Sequence, residues 1–158
     1  MTKKKILIAT GGTGGHIFPA LSLAKNLIKK NHDIILTTDK RGLKYLSDIN
    51  EIKLKKITSS PLVKKNIFRL IYSVLLICYS TVKSLFLLSL NRPHIIIGMG
   101  GYSSFPVCVA ATILRIKFII YENNLIIGKA NKYLLHFAEK IFVSYKDLKG
   151  IKEKNIKK

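Results

Sequence analysis

Residues 5–20 read Lys5-Ile-Leu-Ile-Ala-Thr-Gly-Gly-Thr-Gly-Gly-His-Ile-Phe-Pro-Ala20, so an apolar run enters a glycine loop and a helical pattern leaves it. Glycines let the backbone adopt positive φ and approach a ligand closely. The helix that follows offers unpaired N–H groups and the positive end of its dipole, which attract phosphate. His16 is the only titratable group of the loop. The stretch therefore predicts a strand, a phosphate-binding loop and a helix in succession.

The spacing of these glycines excludes two common nucleotide-binding loops. A dinucleotide fingerprint counted from Gly12 needs glycine at position 17, where the chain has Ile17, and no Gly-Lys-Ser/Thr follows for a Walker-type loop. An ordinary glycine-rich turn without a ligand is the alternative. Four glycines within residues 11–15 exceed what such a turn requires, which favours a binding role.

The rest of the chain repeats this alternation of apolar runs with helical patterns. Nearly continuous apolar strands separated by helices indicate an α/β fold with a parallel sheet covered on both faces. Pro19 and Pro106 fit first-turn positions of two helices. The predicted strands are 5–10, 33–38, 52–57, 95–98, 117–121 and 140–144, and the predicted helices are 19–30, 43–47, 67–90, 106–114 and 129–137.

Two further loops share the character of the first. Gly98-Met-Gly-Gly-Tyr-Ser-Ser104 follows the fourth strand, and Tyr121-Glu-Asn-Asn124 follows the fifth. Because ligands gather at the carboxyl ends of parallel strands, all three loops should face one crevice. Ser103 and Ser104 offer hydroxyls and an N-cap for the next helix. Glu122 is read either as a satisfied structural acceptor or as a catalytic or hydroxyl-binding group.

The composition bounds the class of partner. A length of 158 residues suits one α/β domain, and 28 Lys and Arg against 8 Asp and Glu give a formal charge of +20. Such a charge favours nucleic acid, an anionic membrane surface or a pyrophosphate-bearing ligand. The sequence has neither an aromatic stacking platform nor a known nucleic-acid motif. We therefore expect no nucleic acid, and a non-catalytic basic binding domain is the weaker alternative.

The cysteines and the remaining histidines lack the spacing of metal ligands. Cys78 and Cys108 lie in apolar helical stretches and are expected to be buried thiols of a reducing compartment. His32, His94 and His136 have no metal partner at helical or turn spacing. We therefore predict no metal site and a cytoplasmic protein.

The longest predicted helix bears on the membrane. Residues 70–82 carry no charge, and Arg69 and Lys83 bracket them. This run is shorter than the roughly 20 apolar residues of a spanning helix. A buried core helix is one interpretation. We expect the other, a helix that docks one apolar face on anionic lipid beside Lys64 and Lys65.

Three motifs together resemble the amino-terminal half of the MurG family, membrane-associated N-acetylglucosaminyltransferases of peptidoglycan synthesis. They span residues 11–20, 98–106 and 121–131, in the family's order and at compatible spacing. The resemblance implies one half of a GT-B fold, in which two Rossmann-like domains face each other across a cleft. It also implies transfer of N-acetylglucosamine from UDP-N-acetylglucosamine to undecaprenyl-pyrophosphoryl-N-acetylmuramoyl-pentapeptide, with inversion, without a glycosyl-enzyme intermediate and without a cofactor.

The same resemblance assigns residues to the two substrates. The residues that would contact the donor from across the cleft are Thr13, Gly14, Gly15 and Asn124. The residues that would lie near the acceptor pyrophosphate and the reacting hydroxyl are His16, Gly100, Gly101, Tyr102 and Ser103. An inverting transfer also needs a general base for that hydroxyl, and His16 and Glu122 are the two candidates.

The chain departs from the family pattern in one motif. The family usually has His-Glu-Gln-Asn where this chain has Tyr121-Glu-Asn-Asn124, so two of the four residues differ. Any role of that histidine is therefore lost or passes to the tyrosine hydroxyl.

The resemblance also sets expectations for domains and location. We expect residues 1–145 to form the acceptor-binding domain and residues 146–158 to be a basic linker or the start of a donor-binding domain. The donor-binding half would be supplied in cis or in trans, and the chain alone would be incomplete as an enzyme. A separate membrane-attached subunit of a split lipid-linked N-acetylglucosaminyltransferase is the main alternative. The expected location is the cytoplasmic face of the bacterial inner membrane, as a peripheral protein.

Overall fold

The computed structural model describes residues 2–46, 52–58 and 66–151, in which strands and helices alternate. The strands are β1 (Lys5–Ala9), β2 (Asp33–Thr38), β3 (Lys53–Lys56), β4 (Ile95–Gly98), β5 (Phe118–Glu122) and β6 (Lys140–Val143). The helices are α1 (Gly14–Lys29), α2 (Lys40–Leu43), α3 (Ile67–Asn91), α4 (Ser104–Ile113) and α5 (Lys129–Leu134).

The six strands form one parallel sheet in the order β3-β2-β1-β4-β5-β6. In the middle of the sheet, Ile8 pairs with Leu36 on one side and with Ile97 on the other. This confirms the predicted α/β fold. The strand order reverses between β1 and β4, and open α/β sheets bind ligands in the crevice at such a reversal. The loops after β1 and β4 border that point.

Apolar cores lie on both faces of the sheet. Leu7 and Ile96 belong to the core on the α4 side, and Ile8 and Leu36 belong to the core on the α1 side. Neighbouring side chains of a strand point to opposite faces, so β1 contributes to both cores. Burial on two faces explains why the central strands are apolar without alternation.

The start of α1 corrects the prediction. The helix begins at Gly14, five residues before the predicted position 19. Gly14, Gly15 and His16 therefore form its first turn instead of a loop, and Pro19 is an interior residue of the helix. Glycine and proline are both poor helix formers, which is why local propensity hid this turn.

Two shorter helices also differ from their predicted ranges. α2 occupies Lys40–Leu43 instead of 43–47, because the Asp39 carboxylate caps it and accepts from the N–H of Arg41 at 2.9 Å. Position 47 lies outside the described residues. α5 ends at Leu134 instead of 137, and α4 starts two residues before Pro106, which keeps that proline in the first turn.

Three serines of the long helix α3 lie inward, and many of its large apolar side chains lie outward. Its buried residues are Ser73, Ser80, Ser84 and Leu88. The helix is long and apolar enough to cross a membrane, and only 17% of its most apolar 18-residue window is buried. The interpretation of α3 as a buried core helix is therefore wrong. The prediction that Cys78 is buried is also wrong, because this residue is exposed on α3. Lys64 and Lys65 lie outside the described residues.

The middle and the end of α3 are attached to the rest of the domain. The Ser80 hydroxyl donates to the carbonyl of Thr58 at 2.6 Å, and the Lys5 ammonium donates to the carbonyl of Asn91 at 2.9 Å. The helix also follows β3 and precedes β4 of the same sheet.

Candidate active site

The loops after β1 and β4 touch through their glycines. A Cβ on Gly11 would come within 2.6 Å of the Gly101 Cα, and a Cβ on Gly101 would collide with the Gly11 Cα. Gly100 and Gly101 have φ angles of 84° and 80°, the left-handed region that favours glycine. This backbone contact requires glycine on both sides. It closes one wall of the crevice.

Ser103 supports the contact between the two glycine loops. The residue is buried, and its hydroxyl donates to the carbonyl of Thr10 at 2.6 Å. It occupies the N-cap position of α4, but its side chain does not cap the helix, contrary to the prediction. The neighbouring Ser104 hydroxyl donates to the Gly101 carbonyl at 2.9 Å. In this structure, both hydroxyls bond to the backbone of the two glycine loops.

His16 lies on the glycines of the second loop. A Cβ on Gly100 would come within 3.1 Å of the His16 Nδ1, so only glycine leaves room for the ring. Nδ1 is buried and has no hydrogen-bond partner within the described residues. Burial lowers the pKa of His16, and the charge of Glu122 and the Met99 carbonyl partly offset that shift. The imidazole is therefore held neutral near neutral pH.

Glu122 is the centre of a buried hydrogen-bond cluster. It is 1% exposed, and its Oε1 accepts from the backbone N–H of Asn124 at 3.1 Å and from the Asn124 amide at 2.7 Å. Its Oε2 accepts from the N–H of Gly128 at 2.9 Å and from the Asn131 amide at 3.0 Å. Both oxygens are thus engaged by the chain itself. Of the two readings made from the sequence, the geometry matches the satisfied structural acceptor.

These loops enclose a cavity of about 260 Å³. Six of its lining residues were predicted as site residues: His16, Gly100, Gly101, Tyr102, Glu122 and Asn124. Thr13 and Gly15 are exposed at the start of α1, and Gly14 lies beside them, outside the cavity lining. Residues of all three loops thus line one cavity, and His16 is the residue that the first loop contributes.

Sequence reasoning missed several residues of this site. Asn131, 2% exposed, lines the cavity together with Lys129, and its amide also donates to the carbonyl of Tyr121 at 3.0 Å. Arg41 lies beside the first loop, where Gly12 packs directly against it and against Asp39. The Arg41 guanidinium is 2.7 Å from the Asp39 carboxylate, which raises the pKa of Arg41. Two features of the sequence could have pointed to these residues. Asp39 is a possible helix cap close to Arg41, and Asn131 is the last residue of the third motif, residues 121–131.

The described residues hold no group of three or more His, Cys, Asp or Glu side chains that could bind a metal ion. The positive groups near the crevice are instead Arg41 and Lys129, together with the N–H groups at the start of α1. Backbone N–H groups at a helix N-terminus and cationic side chains suit an anionic ligand.

A parallel sheet in this strand order, with glycine loops around a crevice at its reversal point, defines the class of protein: one Rossmann-like half of a GT-B glycosyltransferase. Residues 6–143 match the glycosyltransferase family 28 N-terminal domain. The chain belongs to that family.

Comparison with individual proteins supports the same family assignment. The chain is 38% identical over 154 residues to a UDP-N-acetylglucosamine--N-acetylmuramyl-(pentapeptide) pyrophosphoryl-undecaprenol N-acetylglucosamine transferase of Pelagibacter ubique, which covers 96% of this chain and 42% of the relative. It is 40% identical over 149 residues to the transferase of the same name from the Wolbachia of Brugia malayi, covering 93% and 40%. The chain thus spans about two fifths of the length of these curated relatives.

Solved structures show the same fold. The crystal structure of Acinetobacter baumannii MurG superposes with a TM-score of 0.81 at 26% identity, over 95% of this chain and 44% of that one. A UDP-GlcNAc 2-epimerase from Methanocaldococcus jannaschii superposes with a TM-score of 0.65 at 19% identity, over 96% and 44%. The second likeness shows the fold alone.

Proposed function

We propose that this chain is the acceptor-side half of an inverting N-acetylglucosaminyltransferase. The donor would be UDP-N-acetylglucosamine, and the acceptor undecaprenyl-pyrophosphoryl-N-acetylmuramoyl-pentapeptide, the substrates contained in the names of its relatives. The observation that carries the proposal is the cavity in which the His16 ring lies against Gly100 and Gly101, at the reversal point of the sheet. Support comes from the match of nearly the whole chain to the first two fifths of those enzymes' length.

The acceptor pyrophosphate would lie in the cavity, near His16, Gly100 and Gly101, which line it. Lys129, which also lines the cavity, would supply positive charge there. Tyr102 lines the same cavity and would contact the sugar beyond the phosphates.

His16 would act as the general base. As the acceptor hydroxyl attacks the anomeric carbon of the donor sugar, a C–O bond forms, the bond to UDP breaks, and the hydroxyl proton passes to the His16 imidazole. A neutral imidazole is required, and burial lowers the pKa of His16 in that direction. Glu122 would hold the loop after β5 in place, because its oxygens already accept four hydrogen bonds.

The donor would be held mainly by a second Rossmann-like domain, present in cis or in trans. As the family resemblance implies, Thr13, Gly14, Gly15 and Asn124 would contact that donor from across the cleft, and Asn124 lines the cavity. Thr13 and Asn124 are both exposed, as such a role requires. We propose that residues 1–145 form the acceptor domain and that residues after 145 lead towards the donor half.

α3 would attach the domain to the cytoplasmic face of the inner membrane. Its outward side carries large exposed apolar side chains, with Phe68 78% and Phe86 68% exposed, and the cations Arg69 and Lys83 flank them. Because the middle and the C-terminal end of the helix are attached to the domain, α3 would lie in the plane of the interface instead of crossing the bilayer. The net charge of +20 favours an anionic surface.

The test of the catalytic proposal is the His16→Ala variant, assayed with the donor half present and with UDP-N-acetylglucosamine and the lipid-linked acceptor. Loss of a general base lowers kcat by about 10²- to 10⁴-fold, with a smaller effect on KM. His136→Ala, a change at an exposed histidine outside the cavity lining, is the matched control and should retain turnover. Near-normal turnover of the His16 variant would overturn the assignment.

A further inference from the structure

Pro19 leaves one backbone carbonyl at the crevice without its usual partner. In an α-helix the N–H of residue 19 would bond to the carbonyl of residue 15, but proline has no N–H. Pro19 lies inside α1, so the Gly15 carbonyl is available to another donor. The Asn123 amide donates to that carbonyl, with 3.2 Å between Nδ2 and O. The loop after β5 is thereby joined to the first turn of α1.

The orientation of the Asn123 amide is set by the Gly15 carbonyl, which can only accept and therefore faces Nδ2. On the other side, Oδ1 lies 3.2 Å from the Tyr121 hydroxyl and 3.0 Å from the Ser144 hydroxyl, and the two hydroxyls are 2.7 Å apart. Each hydroxyl has one proton, so one of them donates to Oδ1 and the other donates to its neighbouring hydroxyl. Tyr121, Asn123 and Ser144 thus form one polar cluster.

Positions 121 and 123 are also the two places where the motif Tyr121-Glu-Asn-Asn124 departs from the family pattern. In the structure these two side chains bond to each other. The two positions that differ from the family pattern are therefore linked to each other, and Asn123 is a partner of the Tyr121 hydroxyl.

The residues next to this contact are those of the site. Gly15 precedes His16, and Asn123 lies between Glu122 and Asn124, both of which line the cavity. We propose that Asn123 is a positioning residue that fixes the first turn of α1, and with it the His16 ring, against the loop after β5. Its significance for catalysis rests on the proposed function, whereas the contact itself can be tested without turnover.

The sequence offers a direct spectroscopic probe of the Gly15 carbonyl. Residues 15 and 16 form the only Gly-His pair in the chain, so labelling with [1-¹³C]glycine and [¹⁵N]histidine gives a single carbonyl–amide correlation in an NMR spectrum of the 158-residue protein. A carbonyl ¹³C resonance moves upfield when its hydrogen bond is lost. Asn123→Asp keeps the shape of the side chain and removes the donor, so we expect the Gly15 resonance to move upfield.

Pro19→Ala supplies the matched comparison. Alanine restores the N–H that the Gly15 carbonyl accepts within the helix, so Asn123→Asp should move the resonance less in the Pro19→Ala background than in the wild type. Asn26→Asp makes the same chemical change at an exposed position of α1 and should leave the resonance in place. Where Asn123→Asp does not give a folded spectrum, Tyr121→Phe removes only one of the two hydroxyls that hold the amide oxygen and should give a smaller upfield move.

The same variants separate positioning from mere structure in the transfer assay. Asn123→Asp should lower kcat more than it raises KM, and Asn26→Asp should change neither. An unmoved Gly15 resonance in both folded variants, Asn123→Asp and Tyr121→Phe, would overturn the proposal. An upfield move without any transfer activity of the wild type would support the contact and count against the proposed function instead.

Discussion

The crevice and the outer side of α3 depart from the usual distribution of residues in opposite ways. At the crevice, Glu122 and Asn131 are almost completely buried although both are polar. On α3, Phe68, Tyr72 and Phe86 are mostly exposed although all are large and aromatic. Buried polar groups and extended exposed apolar surfaces are the two informative exceptions to the rule that apolar residues lie inside.

The two regions differ in where their partners come from. The polar side chains of the crevice bond mainly to each other, as the four bonds to Glu122 show, so this region is organised by the chain itself. The outer side of α3 presents its apolar side chains to solvent in the described structure. Under the proposed attachment to the membrane, the apolar partner of this side is external. The crevice should therefore respond to substitution in water, and α3 mainly when lipid is added.

Glu122→Leu should have the largest effect on the folded chain. The change removes the acceptor of four hydrogen bonds and leaves buried N–H groups of Gly128 and Asn131 unpaired. Each unpaired buried group costs about 1–3 kcal/mol, so we expect the free energy of unfolding to fall by about 3 kcal/mol or more. Urea denaturation followed by circular dichroism measures the change.

Glu139→Leu is the matched control for this substitution. Glu139 is an exposed carboxylate that pairs with Lys117 at 2.9 Å, and an exposed ion pair contributes only about 0–1 kcal/mol. Phe86→Ser on α3 should also change stability in water by about 0.5 kcal/mol or less, because the side chain is exposed. Equal losses for Glu122 and Glu139 would contradict the view that the crevice is held by its own polar groups.

The fold and the place of the crevice could be predicted because they depend on local patterns. Apolar runs such as that of β1 mark buried parallel strands, and glycine loops after β1 and β4 mark the carboxyl ends where ligands gather. The first turn of α1 could not be found this way. Its glycines and Pro19 oppose helix locally, and contacts with Gly101 and Asn123 hold it from outside.

Two other features depended on contacts between distant residues. The role of Glu122 stayed open in the sequence because its donors on Gly128 and Asn131 are supplied by a later loop and helix. The orientation of α3 stayed open because the helix is apolar on most sides. The recurrence of Ser73, Ser80 and Ser84 at helical spacing was a usable signal, since these three side chains mark the inward side.

The second-largest effect is expected on the affinity of the domain for membranes. Phe68→Ser combined with Phe86→Ser removes two exposed aromatic side chains from the outer side of α3. Burial of one large apolar side chain is worth about 1.5–3 kcal/mol, so the affinity for vesicles of anionic phospholipid should fall about tenfold or more. Co-sedimentation with such vesicles measures the affinity.

Cys78 reports on the same surface without a substitution. Its thiol is exposed on α3, so anionic vesicles should slow its reaction with a charged maleimide. Cys108 is the internal reference, because burial raises the pKa of its thiol to about 12 and leaves it unreactive in either condition. If the wild type forms a dimer through α3 and leaves Cys78 equally reactive with vesicles, the external partner is a second copy and not lipid.

The smallest effect is expected at the boundary of the crevice, from the protonation of His16. Burial lowers the pKa of His16 in the folded chain below its ordinary value of 6.5. When the pH falls below that ordinary pKa, His16 therefore gains a proton more readily in the unfolded chain than in the folded chain. This favours unfolding, so the stability that comes with the neutral ring is lost as the pH falls through the pKa of His16 in the folded state. His16→Gln removes this group, so its free energy of unfolding should decline less between pH 7 and pH 5 than that of the wild type. Denaturant midpoints across this range measure the difference, with His136→Gln as the exposed control. Parallel decline in the wild type and the His16 variant would mean that the imidazole is as solvated as a surface histidine, and it would remove the electrostatic basis for a neutral base in the crevice.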